Sequence, residues 1–177
     1  MLPETVNSTL VFDECVKIRK DTLKLDDNSL YDYYTILTAP AAVMIIAKTE
    51  DDCFILNMEY RHPVGQSILS CPGGCLSKEE PPLEGALREL IEETGYSSDL
   101  LRLIGESFPF PGLSPQKTYY VEATNCKKIG SPQLERAEFI DTLLMSTEEV
   151  RAYIASGRPV DGLLCAALYF HSLLKTN

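Results

Sequence analysis

Glu89, Glu92 and Glu93 are the residues whose type and spacing most directly suggest chemistry. They lie in the stretch GCLSKEEPPLEGALRELIEETGY, Gly74 to Tyr96. Helical geometry there gathers the three carboxylates within about 100° of one another. Glu89 and Glu93 are also an i,i+4 pair, and like charges at that spacing cost a helix a few tenths of a kcal/mol. A divalent cation converts this repulsion into coordination, which explains the cluster better than a solvated face does. Arg88 reaches Glu84 and Glu92, each four residues away, and can orient a carboxylate without being a ligand. Gly73 and Gly74 precede the helix, where a backbone free of side chains can bring a carbonyl oxygen to a metal.

The elements that position these residues follow from periodicity. Leu83, Leu87, Leu90 and Ile91 mark one face of a helix over 83–94 that Gly95 stops, so the carboxylates are expected on the opposite, outer surface. Ala41 to Ala47 reads as a buried strand, joined through a turn at Asp51-Asp52 to a second strand over 53–60. Residues 9–38 read as an antiparallel meander, with a turn at Asp26-Asp-Asn-Ser. Further strands are expected over 101–107, 117–123 and 139–145. The Ser-x-x-Glu capping box at Ser146 to Glu149 starts a helix running to about Ser156, and a last helix spans roughly 163–174. This order predicts a mixed sheet in an α/β sandwich rather than a doubly wound fold.

Composition narrows the function. The 177 residues suit one ordinary domain, and 45% hydrophobic with 24% charged residues is the balance of a globular protein. A net charge of −10 argues against a nucleic-acid polymer as partner, because phosphate backbones require clustered Lys and Arg. No apolar run is long enough to span a membrane, and the opening residues lack a secretory pattern, so a cytoplasmic location is expected. The six cysteines, Cys15, Cys53, Cys71, Cys75, Cys126 and Cys165, show no paired CxxC spacing and are expected as buried free thiols. His62 and His171 lie in no ligand pattern and are expected to be structural.

Gly74, Glu80, Arg88, Glu89, Leu90, Glu92, Glu93, Gly95 and Tyr96 occupy every fixed position of the Nudix box, Gly-x5-Glu-x7-Arg-Glu-U-x-Glu-Glu-x-Gly-U. The resemblance extends over nearly the whole chain and is nearest to the ADP-ribose pyrophosphatases of that superfamily. Asp21 to Asn28 resembles the opening of those proteins, and Met58-Glu-Tyr-Arg-His-Pro63 their Tyr-Arg-x-Pro segment. Pro111 has the spacing of their proline past the box. One position departs from the pattern: Ser70 stands where many of them have a glutamate, which bears on the substrate and not on metal chemistry.

The resemblance implies a Nudix α/β/α sandwich over 39–177 and an added N-terminal antiparallel β element over 1–38 that joins two subunits in a homodimer. It implies Mg2+, with Mn2+ as an alternative, held by Glu89, Glu92, Glu93 and the Gly73 carbonyl. Arg88 would support the catalytic carboxylates. Arg61, Pro111 and Gly112 would bind a small nucleoside diphosphate substrate, and Glu135 or Glu138 would be the general base. Several cations would neutralise the diphosphate and activate a water, converting ADP-ribose to AMP and ribose 5-phosphate. Another nucleotide sugar, a dinucleoside polyphosphate or an oxidised nucleotide is the alternative substrate. A nucleotide-binding module without catalysis is disfavoured because no box carboxylate is missing.

Overall fold

Ala41 to Thr49 is apolar at successive positions, and a strand that sends alternate residues to opposite faces can bury such a run only if both faces are covered. The structure, a computed structural model describing residues 2–14 and 16–174, meets this demand. Its elements are β1 (Glu4–Asp13), β2 (Lys17–Lys24), β3 (Leu30–Leu37), β4 (Ala41–Thr49), β5 (Phe54–Arg61), β6 (Gln66–Ser70), β7 (Gly73–Cys75), α1 (Pro82–Thr94), β8 (Tyr96–Ser97), β9 (Leu100–Ser107), β10 (Lys117–Lys128), β11 (Ile140–Met145), α2 (Thr147–Ala155) and α3 (Gly162–Leu173). They divide into two compact units, one formed by the chain up to Pro40 with Phe108–Lys117, the other by Ala41–Ser107 with the chain from Thr118.

The larger unit is a mixed sheet of order β11-β5-β4-β10-β8, extended by β6 on β5, β7 on β4 and β9 on β10. Alternation along β4 divides the core. Val43, Ile45 and Ala47 pack with Ala86 and Leu90 of α1 on one face. Met44 and Ile46 pack with Val150 of α2 and Leu164 and Ala167 of α3 on the other. The result is the expected α/β/α sandwich. The capping box of α2 also forms: Glu149 N donates to Ser146 Oγ, and Ser146 N to the Glu149 carboxylate at 2.7 Å.

In the smaller unit, β1, β2 and β3 form an antiparallel sheet in that order. The segment after Phe108 belongs to it: the Tyr33 hydroxyl donates to the Gly112 carbonyl at 2.6 Å and Ile36 N to the Leu113 carbonyl at 2.8 Å. The meander expected from residue 9 begins earlier, at Glu4, because the mixed polar pattern of Glu4 to Ser8 gives no alternation to read. Its ladder with β2 defines the strand instead. The thiol expectation is corrected in part. Cys71 and Cys126 are buried, Cys53 is half-buried, and Cys75 and Cys165 are exposed. Cys165 turns outward because it follows the buried Leu164 by one helical step. Cys15 lies outside the described residues. Among the described residues no helix is long and apolar enough to cross a membrane.

Gly95 ends α1 in the left-handed region, at φ 68°, donating to the Ile91 carbonyl at 2.8 Å. Its own carbonyl accepts from Ile129 N and Gly130 N, and a Cβ here would stand 2.3 Å from the Gly130 oxygen. Gly95→Ala should therefore cost about 2 kcal/mol in urea unfolding, from the left-handed backbone and the displaced loop. Gly130→Ala, with open space around its Cβ, should stay within about 0.5 kcal/mol. Equal effects at the two positions would contradict this account.

Candidate functional site

Pro82 starts α1 as its first helical residue, where a missing N–H and a fixed φ cost nothing. The helix then turns Ala86, Glu89, Leu90 and Glu93 towards the sheet, as spacings of three and four residues require. This corrects the expected face. Glu89 and Glu93 are 8% and 6% exposed, whereas Leu83 is 40% exposed, so two of the three carboxylates lie on the inner side with Leu90 and not opposite it. Small Ala86 and Leu90, both fully buried, settle the helix on the sheet, and Glu89 and Glu93 share that face.

Where the helix crosses β7, Gly74 makes room for it, while Gly73 lies close against β4. A Cβ on Gly74 would lie 2.5 Å from Glu89 Oε1, so the Glu89 carboxylate fills the space a side chain would take. A Cβ on Gly73 would meet the Val43 carbonyl oxygen at 2.2 Å. Gly73 and Gly74, which precede the helix as expected, form a strand paired with Met44 and Val43. From that strand Gly73 N donates to Glu93 Oε2 at 3.0 Å, and Asn57 Nδ2 of β5 donates to the same oxygen at 2.9 Å.

Arg88 stands over the outer edge of this group. Its Nε and Nη2 fork onto Glu80 Oε1 and Oε2 at 2.9 and 3.0 Å, its Nη1 reaches Glu89 at 2.8 Å and Glu92 at 3.0 Å, and Nη2 also donates to the Cys75 carbonyl at 3.3 Å. Glu92 is as expected, but Glu80 takes the place of Glu84. The loop before the helix folds back, so a residue eight positions away offers the bidentate geometry a guanidinium prefers. The fork holds the Glu80 carboxyl down to about 2.

Electrostatics sets Glu93 apart. Burial pushes its carboxyl up to about 8, opposed by the Gly73 N–H and reinforced by the charges of Glu89, Glu59 and Glu138. Glu89 is raised by burial, with Arg88 opposing. Glu59, on β5 beside Asn57, is raised by burial and opposed by Arg61, whose Nη1 lies 2.8 Å from Glu59 Oε1. The four carboxylates therefore share one field. Glu138 belongs to it, acting on Glu59, Glu89 and Glu93. Glu135 is exposed, and its N–H donates to Glu138 Oε2 at 2.8 Å.

The chain's arrangement thus unites Gly73, Arg88, Glu89, Glu92 and Glu93, with Glu138 and Arg61 close enough to act on the carboxylates or on their neighbour Glu59. Pro111 and Gly112 belong to the smaller unit. Sequence reasoning missed Asn57 and Glu59. Their signal is a polar residue at alternate positions of an otherwise apolar strand, Phe54-Ile-Leu-Asn-Met-Glu. Ser70 is buried in register with Asn57, and its hydroxyl donates to the Cys71 carbonyl at 3.2 Å.

Among the described residues no three His, Cys, Asp or Glu side chains are gathered closely enough to hold a metal ion as they stand. Glu89 and Glu92 turn to Arg88, and one oxygen of Glu93 takes two donors. The residues nonetheless fit a hard divalent cation in kind. The donors are carboxylate oxygens, one of them cradled by Gly74, and burial together with like charge works against ionisation of Glu93 until positive charge arrives.

Comparison with known proteins gives the family. The NUDIX domain model matches residues 37–162, and the chain belongs to the Nudix family. It is a Nudix hydrolase, ADP-ribose pyrophosphatase-like. It is 30% identical over 172 residues to the methanol dehydrogenase activator of Bacillus methanolicus, covering 96% of this chain and 92% of that one. It is 28% identical over 139 residues to the ADP-ribose pyrophosphatase of Bacillus subtilis, covering 78% and 75%. A crystal structure of an ADP compounds hydrolase superposes with a TM-score of 0.87 at 21% identity, over 99% of this chain and 95% of that one, and shows the same fold. Nudix hydrolases generally use a divalent metal.

The displaced Glu93 carboxyl has a consequence for stability without metal. Unfolded, it ionises near 4.5, and folded, near 8, so between these values the unfolded chain binds fewer protons. Stability should therefore fall as pH rises through that window, by at most ~1.4 kcal/mol per pH unit. Glu93→Gln stays neutral throughout and should flatten this part of the profile. Urea midpoints in EDTA at about pH 5.5 and 7.5 measure it; an unchanged slope in the variant would rule out the assignment.

Proposed function

We propose that this Nudix pyrophosphatase hydrolyses ADP-ribose to AMP and ribose 5-phosphate in the cytoplasm, using Mg2+ or in its place Mn2+. The observation that carries the reading is the buried Glu89–Glu93 pair against Gly73–Gly74, a set of oxygen donors short of positive charge. The similarity to an ADP-ribose pyrophosphatase and the fold shared with an ADP compounds hydrolase support the substrate class.

In this reading Glu89, Glu92, Glu93 and the Gly73 carbonyl hold the cation. When bound, the cation supplies neutralisation of the diphosphate and a lowered pKa for water. Arg88 keeps Glu89 and Glu92 oriented through a guanidinium anchored on Glu80. Arg61, steadied by Glu59, binds a substrate phosphate or the terminal ribose. Glu138 takes a proton from the attacking water as the new P–O bond forms and the bridging P–O bond breaks. Glu138 is preferred to Glu135 because its charge acts on Glu59, Glu89 and Glu93, while Glu135 is exposed.

Ser70 favours a second reading, in which the chemistry is the same and another nucleotide sugar replaces ADP-ribose. The buried hydroxyl stands where the resemblance leads one to expect a glutamate. We also propose that residues 1–38 are a dimerisation element. Every residue of β1 is exposed, including Val6, Leu10, Val11 and Phe12, an apolar surface that a lone three-stranded sheet leaves to be covered.

A chromatographic assay over nucleoside diphosphate compounds with Mg2+ should give AMP and ribose 5-phosphate from ADP-ribose at the highest kcat/KM. Glu93→Gln should lower kcat by about a thousand-fold or more with the fold retained. Higher turnover of another nucleotide sugar would move the substrate, and an active Glu93→Gln would remove the metal site. Glu138→Gln should lower kcat by about a hundred-fold or more, while Glu135→Gln should change it little; the reverse order would transfer the base to Glu135. Light scattering should give twice the 19.7 kDa chain mass, and a monomer would refute the dimerisation element.

A further inference from the structure

Asn57 occupies the middle of β5, following the buried Ile55 and Leu56, and is itself 1% exposed. It pairs with Ser70 of β6 on one side and Thr142 of β11 on the other. At such depth an apolar side chain is the default, because a buried polar atom loses hydration and must find a partner. Asn57 satisfies only half of this demand. Its Nδ2 donates to Glu93 Oε2, while its Oδ1 is buried with no hydrogen-bond partner. A residue serving stability alone would do better as leucine, so the amide donor is the part of Asn57 with a purpose.

That donor has a geometric effect. Asn57 Nδ2 comes from β5 and Gly73 N from β7, and both converge on Oε2 of Glu93 at 2.9 and 3.0 Å. Rotation of the carboxylate would break both bonds. Two donors from different strands thus fix which oxygen is engaged within the protein, and Oε1 is the other. Thr142, the β11 partner of Asn57, also donates to the Glu93 backbone carbonyl at 3.4 Å, so β5 and β11 together hold this turn of α1.

We propose that Asn57 is a positioning residue for the hydrolysis, holding Glu93 Oε2 inward so that Oε1 is presented to a divalent cation. The inference rests on the reading of Glu93 as a cation ligand given above. Asn57 touches neither substrate nor cation and acts through Glu93. This is the outer-shell role in which a hydrogen-bonding partner orients a ligating carboxylate.

The test compares wild type with Asn57→Leu as full chains. Mn2+ binding is followed by loss of the free-ion paramagnetic resonance signal, Mg2+ dependence by ADP-ribose hydrolysis, and stability by thermal unfolding in EDTA. Asn57→Leu should bind Mn2+ about ten-fold more weakly or worse. The Mg2+ concentration at half-maximal rate should rise in step, kcat at saturating Mg2+ should fall less, and the Tm should not drop. In a Glu93→Gln background, adding Asn57→Leu should weaken Mn2+ binding no further. Asn57→Val is the second apolar variant, should leucine not be accommodated. A folded variant with unchanged Mn2+ binding, or one that loses only Tm, overturns the positioning role and leaves the reading of the site standing. A wild-type chain that neither binds Mn2+ nor hydrolyses any nucleoside diphosphate overturns the reading and this proposal with it.

Discussion

The structure turns on one constraint: two carboxylates, Glu89 and Glu93, sit on the buried face of α1, where charge is least welcome. An ionised carboxylate moved out of water loses several kcal/mol unless other groups compensate. The surroundings read as responses to that demand. Gly74 supplies space for Glu89, and Gly73 N and Asn57 Nδ2 supply donors to Glu93. Arg88 supplies positive charge to Glu89. The helix can be placed so deeply because Ala86 is small and because Pro82 and Gly95 fix where it begins and ends.

The sheet makes this placement rigid. Leu90 lies on the same helical face as Glu89 and Glu93 and is fully buried among Val43, Ile45 and Ala47. Burying such a side chain contributes roughly 2 kcal/mol, so the apolar contacts that stabilise the helix also determine how deep the carboxylates go. On the reverse side, α2 and α3 cover the other face of β4, which keeps the strand carrying β7 from shifting. Core and site are two halves of one helix face, and neither can move without the other.

Much of this was legible in the sequence. The apolar run of β4, the capping box at Ser146 and the stop at Gly95 each follow from local rules that tertiary packing did not override. The box spacing alone picks out the acidic group. The inward direction of Glu89 and Glu93 was not legible, because polarity and the leucine periodicity both argue for solvent. The close fit of Gly74 to Glu89, across fifteen residues of chain, and the donors from Gly73 and Asn57 to Glu93 set that direction. The Glu80 fork escaped for a similar reason, since helix spacing gives Arg88 partners at four residues and cannot anticipate a loop that folds back. Asn57 and Glu59 carried a faint signal as polar residues in a buried strand, but their meaning depends on α1 lying across β4 and β7, which brings Glu93 to Asn57.

Charge is distributed unequally within this group. Arg88 spends its donors on Glu80, Glu89, Glu92 and the Cys75 carbonyl. Glu93 receives its hydrogen bonds from two neutral groups, the Gly73 amide and the Asn57 side chain. A second arginine facing Glu93 would hold its carboxylate ionised and leave little charge for anything else. The fork to Glu80 has the opposite effect: it anchors Arg88 at the rim, where it orients Glu89 and Glu92 without reaching Glu93. The deepest carboxylate is thus the one with the least internal compensation, and it is there that an incoming divalent cation would gain most by binding.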